Sequence, residues 1–452
     1  MYFKGQRFFI AGMSVSGESC ARFLLERGAE VYVYDDVISD KIKAVMAELE
    51  SIGAHAVTAE SCEAASLKCD ILVLSPGIPI DNALPVSFRK MGKSIIGEEE
   101  LAAMFLRAAS VAVTGTNGKT TTVTMLEEIF KANGKKCVAC GNNGNPLIRE
   151  VENLTFNDYA VIEISSFQLE TLTSLRPHVA VVTNISEDHL NRHYNMENYI
   201  FLKSKILRNL RESEYAVLNY DDPEVRKFAE KTKAKVIYFS MQTRVDGAYF
   251  ENGSIFFNGE KYFDLTEMNL GGVHNLYNAL ACVAVAGIFK LDRAKTGAAI
   301  CAFKGVKHRV EKVRTVNGVT YVDDSKGTNV DAALKAAQSM SSPTVILLGG
   351  KDKGDDYVPL FEGLSSTPVI HAVIYGENRF KMLNAAIKAG FVGFSLCSEF
   401  RTAVRLAEFT AKPGQTVLLS PASSSFDSFL NYEERGDAFR EIVESINEIA
   451  QK

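Results

Sequence analysis

Short apolar, β-branched runs recur along the chain, each followed by a polar loop and then by a helical pattern. The fullest case is Ser110 to Val113, a run that predicts a buried strand. It leads into Thr114-Gly115-Thr116-Asn117-Gly118-Lys119-Thr120-Thr121-Thr122. Beyond that loop, Val123, Leu126, Ile129 and Phe130 fall on one face of a predicted helix, with Gly134 as its stop.

The same pattern organises the rest of the chain. Residues 1 to 94 read as a first α/β domain, with strands at Arg7–Ala11, Val31–Tyr34 and Ile71–Leu74 and a helix from Glu18 to Arg27. The loop Gly12 to Gly17 between the first strand and that helix resembles a nucleotide-binding turn, but Ser14 replaces its second glycine. Ser75-Pro76-Gly77 after the strand at Ile71–Leu74 is either a ligand loop at a sheet edge or a plain Pro-Gly turn. Residues 95 to 305 form the second domain, with further strands at Tyr159–Ile162, Val179–Val182, Tyr215–Leu218 and Lys235–Phe239. Asn252-Gly253 and Asn258-Gly259 predict a small meander, and a helix runs from His274 to Lys290. Residues 306 to 452 form a third α/β unit with strands at Val319–Val322, Val345–Leu348, Val373–Tyr375 and Val417–Leu419. Three of its strands end in polar loops: Asp323-Asp324-Ser325-Lys326, Gly349 to Lys353, and Ser420 to Ser425. Three such loops on one sheet edge predict a binding face. The expected fold is therefore α/β in three domains: Rossmann-like, phosphate-loop type with a mainly parallel sheet, and Rossmann-like again.

Composition narrows the function. The 452 residues are 46% hydrophobic and 23% charged, ordinary for a globular protein. A net charge of -5 argues against a bulk nucleic-acid binder. The eight cysteines are scattered and no leader is visible, so reduced thiols in a cytoplasm are expected. Cys137-Val138-Ala139-Cys140 has no second pair and reads as strand packing, not zinc. No apolar run reaches the ~20 residues of a membrane span.

The central loop carries the chemistry. Glycines let backbone N–H groups turn around phosphate oxygens, and the helix N-terminus adds positive charge. Lys119 can reach terminal phosphates and Thr120 can hold Mg²⁺, although Val113 stands where the full motif has glycine. Glu163 ends a strand, where an acidic Mg²⁺ ligand belongs. His189 is a less usual Mg²⁺ ligand, and on its own it reads as a polar surface histidine at a strand end. Arg309, at the boundary before the third domain, could close on a γ-phosphate or be a rim charge.

The loop Thr114 to Thr121 resembles the phosphate loop of the Mur ligases. The resemblance continues in Gly141-Asn142-Asn143-Gly144, Glu163-Ile164-Ser165-Ser166-Phe167-Gln168-Leu169, Asn184 with Asp188-His189, His274 to Ala279, His308-Arg309, and Asp324 to Asn329. It spans all three domains. Ser420 to Phe429 and Tyr432-Glu433-Glu434-Arg435-Gly436 resemble the D-glutamate-adding members, and no Asp-Asn-Pro-Arg stands in the third domain. Tyr432 replaces a usual Phe, Asn191 a common Asp, and Gly327 a usual Ala or Ser.

The resemblance implies ATP-dependent joining of D-glutamate to UDP-N-acetylmuramoyl-L-alanine through an acyl phosphate, a cytoplasmic step of peptidoglycan precursor synthesis, by a monomer with no nucleic-acid or membrane partner. It implies that Gly115, Thr116, Asn117, Gly118, Lys119, Thr120 and Thr121 bind the nucleotide phosphates, with Thr120 and Glu163 on a first Mg²⁺. Asn275, Asn278 and His308 would flank adenine, Asp324 the ribose and Arg309 the γ-phosphate. Asn142 and His189 would approach the reacting carboxylate and a second Mg²⁺, with Ser165 among the substrate contacts. Lys326, Thr328, Lys353, Ser425 and the backbone near Tyr432 would hold D-glutamate, and Ser75 and Gly77 would lie near the uridine diphosphate. The phosphate loop precedes Gly305–His308 and Arg309 and Asp324 follow it, so hinge closure there is expected. A CO₂-derived carbamate is implied on Lys203, which shares a helix face with Tyr199; without the family, Lys203 reads as a surface lysine in a basic helix with Lys205, Arg208 and Arg211. A folylpolyglutamate synthase lacks the serine motif, a nicotinamide dehydrogenase would need the missing second glycine, and a non-catalytic ATP switch would need no amino-acid pocket.

Overall fold

The structure, a computed structural model, describes residues 3–448 apart from Gly271 and Lys353. The chain divides into two compact units, Met1–Phe303 and Lys304–Lys452. The first unit holds two sheets and the second holds one.

The first sheet comprises β1 (Arg7–Ala11), β2 (Glu30–Tyr34), β3 (His55–Ala56), β4 (Ile71–Leu74) and β5 (Ser94–Ile96), all parallel, in the order β3-β2-β1-β4-β5. The run Phe8-Phe9-Ile10-Ala11 is buried throughout, as a central parallel strand covered on both faces must be. The second sheet comprises β6 (Ala109–Thr114), β7 (Cys137–Gly141), β8 (Tyr159–Glu163), β9 (Val179–Val182), β10 (Tyr215–Asn219), β11 (Lys235–Ser240), β12 (Gly247–Glu251), β13 (Ser254–Phe257) and β14 (Glu260–Asp264). Its order is β14-β13-β12-β11-β10-β9-β6-β8-β7, parallel except for the terminal meander. Asn252 and Gly253 take φ of 51° and 81°, and Asn258 and Gly259 take 48° and 89°. Two successive positive φ angles are what a tight hairpin needs, which is why Asn-Gly stands at both turns.

The third sheet comprises β15 (Glu311–Val316), β16 (Val319–Asp323), β17 (Thr344–Gly349), β18 (Val369–Tyr375), β19 (Phe394–Leu396) and β20 (Thr416–Leu419), in the order β15-β16-β20-β17-β18-β19. Only β15 is antiparallel.

The helix after the central loop, Lys119–Ala132, buries Val123, Leu126, Ile129 and Phe130 as its periodicity predicts. It packs on the helix Val273–Ile288, which is buried nearly all round from Leu276 to Ala286. Helix Arg293–Ala302 and strands β3, β5, β15 and β19 have no counterpart in the sequence reading. The strands are short or lie at a sheet edge, where apolar periodicity is weak. Cys137 and Cys140 lie in β7 and all eight cysteines are free thiols. Residues three apart in a strand face opposite sides, so this C-x-x-C is packing. Among the described residues no helix is long and apolar enough to cross a membrane.

Candidate active site

The loop after β6 is shaped by its neighbours. Gly115 and Gly118 take φ of 146° and 83°. A Cβ on either would collide, with Thr183 Oγ1 in the first case and Asn278 Oδ1 in the second. The Asn117 N–H donates to Asn184 Oδ1 (2.9 Å), while its carbonyl accepts from Asn184 Nδ2 (3.1 Å) and Thr183 Oγ1 (2.6 Å). Thr116 Oγ1 accepts from the Ser186 N–H (3.0 Å) and lies 3.0 Å from the Tyr199 hydroxyl. The residues leaving β9 therefore hold the loop open. Lys119 begins the helix, and its Nζ donates to the carbonyls of Gly115 (2.9 Å) and Thr116 (2.7 Å). Thr120 is buried and Thr121 half-buried on the same first turn. Unpaired N–H groups and the dipole of that turn suit a phosphate.

Glu163 ends β8, in register with Val113 on β6 just before the loop. Its Oε1 accepts from Asn142 Nδ2 (2.9 Å), and its buried Oε2 has no partner among the described residues. An unsatisfied buried carboxylate oxygen costs on the order of 1–3 kcal/mol or more. A hard cation is the natural partner, and with the Thr120 hydroxyl the donors are all oxygen, as Mg²⁺ prefers.

His189 takes φ of 55° and Tyr194 takes 70°, so this short segment carries local backbone strain. The His189 ring packs on Phe167 (4.9 Å) and its Nε2 lies 3.5 Å from Asp188 Oδ2. Lys203 is only 2% exposed, which removes the surface-lysine alternative. Its Nζ donates to the Gly115 carbonyl (2.7 Å) and Thr114 Oγ1 (3.2 Å) and sits 5.3 Å from the Tyr199 ring. Burial first, then the charge of Lys119, push its pKa well below that of an ordinary lysine. Lys205 points away from Lys203, and its Nζ donates to the carbonyls of Leu169 and Glu170. Arg208 and Arg211 are the exposed cations of this stretch.

Two residues of the same region carry more than the sequence reading gave them. Arg192 pairs with Glu170 (2.7 Å) and donates to the carbonyls of Pro76 (3.4 Å), Gly77 (3.4 Å) and Ile78 (3.0 Å). It clamps the loop after β4 to the central domain, so that loop is more than a free Pro-Gly turn. His193 Nε2 lies 2.9 Å from Ser166 Oγ, and burial, then the charge of His189, lower its pKa to about 4. Ser165 directs its N–H and hydroxyl to Gln168 Oε1 (2.8 and 2.9 Å).

In the first sheet, a Cβ on Gly12 would lie 2.5 Å from Ser75 Cβ, so the loops after β1 and β4 touch. These adjacent strands form the switch point of the sheet, where ligands bind in such folds. Asp35 Oδ2 accepts the Met13 N–H (2.7 Å), and its Oδ1 accepts the Val37 N–H (2.9 Å). The acid that would face a ribose in a dinucleotide fold is thus committed to backbone N–H groups of its own loop and of the loop after β1.

In the second unit, β16, β20 and β17 are neighbours, and their three polar loops share one edge as expected. Asp324 Oδ2 accepts from Ser420 Oγ (2.6 Å) and Oδ1 from the Val310 N–H (3.2 Å). Burial raises its pKa to about 7. A Cβ on Gly327 would collide with Asp324 Oδ2 and come within 2.6 Å of Ser420 Oγ, which accounts for glycine there. His308 is buried with Nδ1 2.7 Å from Asp323 Oδ2, whereas Arg309 is exposed. Ser425 is buried, Lys326 Nζ lies 5.5 Å from the Tyr432 ring, and the Tyr432 carbonyl accepts from Ser325 Oγ (2.8 Å). Thr328 is half-buried. Lys353 lies outside the described residues. In the first unit, Asn275 is half-buried, and Asn278 is buried with Oδ1 accepting from Thr122 Oγ1 (3.3 Å).

Comparison with known proteins agrees with this geometry. The family descriptions that match are a Mur ligase MurD-like N-terminal domain over residues 6–97, a Mur ligase middle domain over 113–286 and a Mur ligase glutamate ligase domain over 308–423. A UDP-N-acetylmuramoylalanine--D-glutamate ligase of Geotalea uraniireducens is 41% identical, covering 98% of each chain. One from Clostridioides difficile is 37% identical over 99% of this chain and all of its own. In fold the chain is similar to UDP-N-acetylmuramate-alanine ligase MurC of Thermotoga maritima, with a TM-score of 0.60 at 18% identity over 97% of this chain and 99% of that one. It is also similar in fold to Mycobacterium tuberculosis folylpolyglutamate synthase, with a TM-score of 0.56 at 16% identity over 81% of this chain and 99% of that one.

Proposed function

The chain belongs to the Mur ligase family, and from that premise we infer that it joins D-glutamate to UDP-N-acetylmuramoyl-L-alanine at the cost of ATP. One structural observation carries the chemistry. The phosphate loop lies beside an acidic strand end with an unpartnered buried oxygen, as activating a carboxylate with ATP requires. The loops after β16, β17 and β20 offer the cations and hydroxyls a dicarboxylate needs.

A carboxylate is a poor electrophile. Transfer of the γ-phosphoryl group to the L-alanine carboxylate gives an acyl phosphate and ADP. The D-glutamate amine adds to the carbonyl carbon, the tetrahedral adduct loses phosphate, and the amine nitrogen gives up a proton. Gly115 to Thr121 cradle the phosphates and Lys119 neutralises their charge. Thr120 and Glu163 would hold a first Mg²⁺, and His189 with a carbamate on Lys203 would hold a second. Magnesium when bound supplies charge neutralisation for the phosphates. Asn142 and Ser165 orient the acceptor carboxylate. Ser75 and Gly77 lie against the uridine diphosphate. Asn275, Asn278 and His308 serve adenine, Asp324 the ribose and Arg309 the γ-phosphate. Lys326, Thr328, Ser425 and the Tyr432 backbone serve D-glutamate, as does Lys353 on the resemblance alone. Residues 1–94, 95–305 and 306–452 divide these tasks in a cytoplasmic monomer of peptidoglycan precursor synthesis.

The test is phosphate release with each UDP-muramoyl precursor and D-glutamate, L-glutamate, L-alanine or L-lysine. Release is expected only with UDP-N-acetylmuramoyl-L-alanine and D-glutamate together. Release with neither, or with L-glutamate as the better acceptor, overturns the reading.

Asp324 gives a pH prediction. A ribose hydroxyl donates better to a carboxylate than to a carboxylic acid, so KM for ATP is expected to fall as pH rises through about 7. The Asp324→Asn enzyme is expected to lose that dependence. Stability moves the other way. The folded protein holds this proton above the ordinary Asp pKa of about 3.9, so stability is expected to fall as pH rises from about 4 to about 7. The contribution is on the order of 4 kcal/mol at 1.36 kcal/mol per unit. Urea midpoints of wild type and Asp324→Asn across that range check it.

A further inference from the structure

The helix Glu98–Ala103 opens with three consecutive glutamates, each at most 3% exposed. Glu100 is fully provided for. Its oxygens accept from the Thr173 N–H (2.7 Å), Thr173 Oγ1 (2.6 Å) and the Ser174 N–H (2.8 Å). Glu98 and Glu99 differ. Glu98 Oε1 accepts the Ile148 N–H (2.6 Å) and Glu99 Oε1 accepts from Gln168 Nε2, yet the Oε2 of each has no donor among the described residues. The two side chains are within hydrogen-bonding reach of each other. Two carboxylates are both acceptors, so a bond between them requires a proton. Like charges this close and this buried cannot both ionise cheaply.

Neither Glu98 nor Glu99 forms an ion pair among the described residues. Arg149 is the nearby cation, and its Nε donates to Ser19 Oγ (2.7 Å). The buried thiols of Cys20 and Cys140, the carboxylates of Glu100 and Glu150, and Lys205, which faces Glu100, are further titratable groups near the pair. Burial pushes the pKa of both Glu98 and Glu99 upward.

We propose that Glu98 and Glu99 share one proton, and that the pair positions the loops carrying Asn142 and Ser165. Glu98 grips Ile148, at the start of the short helix that follows the Asn142 loop. Glu99 accepts from the Gln168 amide nitrogen, which leaves Gln168 Oε1 facing Ser165. Loss of the shared proton sets two charges against each other and loosens both grips. Glu98 and Glu99 are positioning residues, acting through Ile148 and Gln168. What Asn142 and Ser165 orient rests on the ligase reading above.

The test has a ligand-free arm and an activity arm on the full chain. In urea unfolding, wild-type stability is expected to fall as pH rises from the ordinary carboxylate range toward the raised pKa of the pair. Glu99→Gln is expected to flatten that fall, because its amide hydrogen replaces the shared proton permanently. In the activity arm, KM for the UDP-substrate is expected to rise in wild type as pH climbs through the raised pKa of the pair. Glu99→Gln should lose that rise while staying within about twofold of wild type at neutral pH, since the geometry is kept. Glu99→Ala frees the Gln168 amide and should raise KM for the UDP-substrate about tenfold or more with KM for ATP unchanged. Parallel stability curves for wild type and Glu99→Gln overturn the shared proton. Equal rises in both KM values in Glu99→Ala overturn the positioning role. A wild type without ligase activity counts against the functional reading alone, and the stability arm still decides whether a proton is shared.

Discussion

Replacing Lys203 by alanine is expected to cut ligation by about two to three orders of magnitude, the scale for losing one group that stabilises transition-state charge. A short-chain carboxylate added to the variant is expected to restore part of the rate. Lys203 lies on the helix Met196–Ser204 one turn beyond Tyr199, and both are buried. Its amine faces the Gly115 carbonyl and Thr114 Oγ1 at the base of the phosphate loop. An ammonium there is doubly disfavoured, by burial and by Lys119. The neutral amine is the form that adds CO₂, and a carbamate there would replace a cation with two hard oxygens, the donors Mg²⁺ prefers. Labelled bicarbonate should give a carbamate carbon signal in wild type and none in Lys203→Ala. Arg208→Ala is the proper control, because Lys205 braces the carbonyls of Leu169 and Glu170. A Lys203→Ala enzyme of near wild-type activity refutes the carbamate.

The strand-loop-helix units were legible because buried parallel strands are continuous apolar runs and the loops after them are polar. β1, β4 and β9 fall where those runs fall. β3 has two residues and β5 three, too few to show a period. The site was legible where a local motif fixes the backbone, as at Gly115 and Gly118, whose φ angles and close neighbours require glycine. It was illegible where burial is decided by distant chain. Glu98-Glu99-Glu100 belongs to no local motif, yet residues from Ile148 to Ser174 close over it. Nothing local marks Arg192, and only the fold brings it to Glu170 and to the loop after β4. Lys203 was ambiguous for the same reason: helical spacing gave it a face, and tertiary packing decided that the face is buried.

Arg435→Ala is expected to lose about 3 kcal/mol of stability or more and to raise KM for D-glutamate about tenfold or more, leaving KM for the UDP-substrate near wild type. Arg435 is fully buried on the helix Tyr432–Glu444. Its Nε donates to Ser325 Oγ (2.9 Å), one terminal nitrogen to the Ser423 carbonyl (3.1 Å) and the other to the Ser325 carbonyl (2.8 Å). These bonds go to a hydroxyl and two carbonyls, none to a carboxylate. Truncation therefore strands three buried acceptors at about 1 kcal/mol each and leaves a cavity as well. The same bonds tie the loop after β16, which carries Lys326 and Thr328, to the loop after β20, which carries Ser425. Ser325 Oγ passes the constraint on to the Tyr432 carbonyl (2.8 Å), so one guanidinium sets the spacing of every proposed D-glutamate contact on the described loops. Arg435→Lys keeps the charge, but an ammonium lacks the planar fork that spans these acceptors, so it should recover part of the stability and little of the affinity. Urea midpoints at constant m-value, with KM measured for each substrate in turn, separate the two effects. A variant with an unchanged midpoint and an unchanged KM for D-glutamate removes Arg435 from the site.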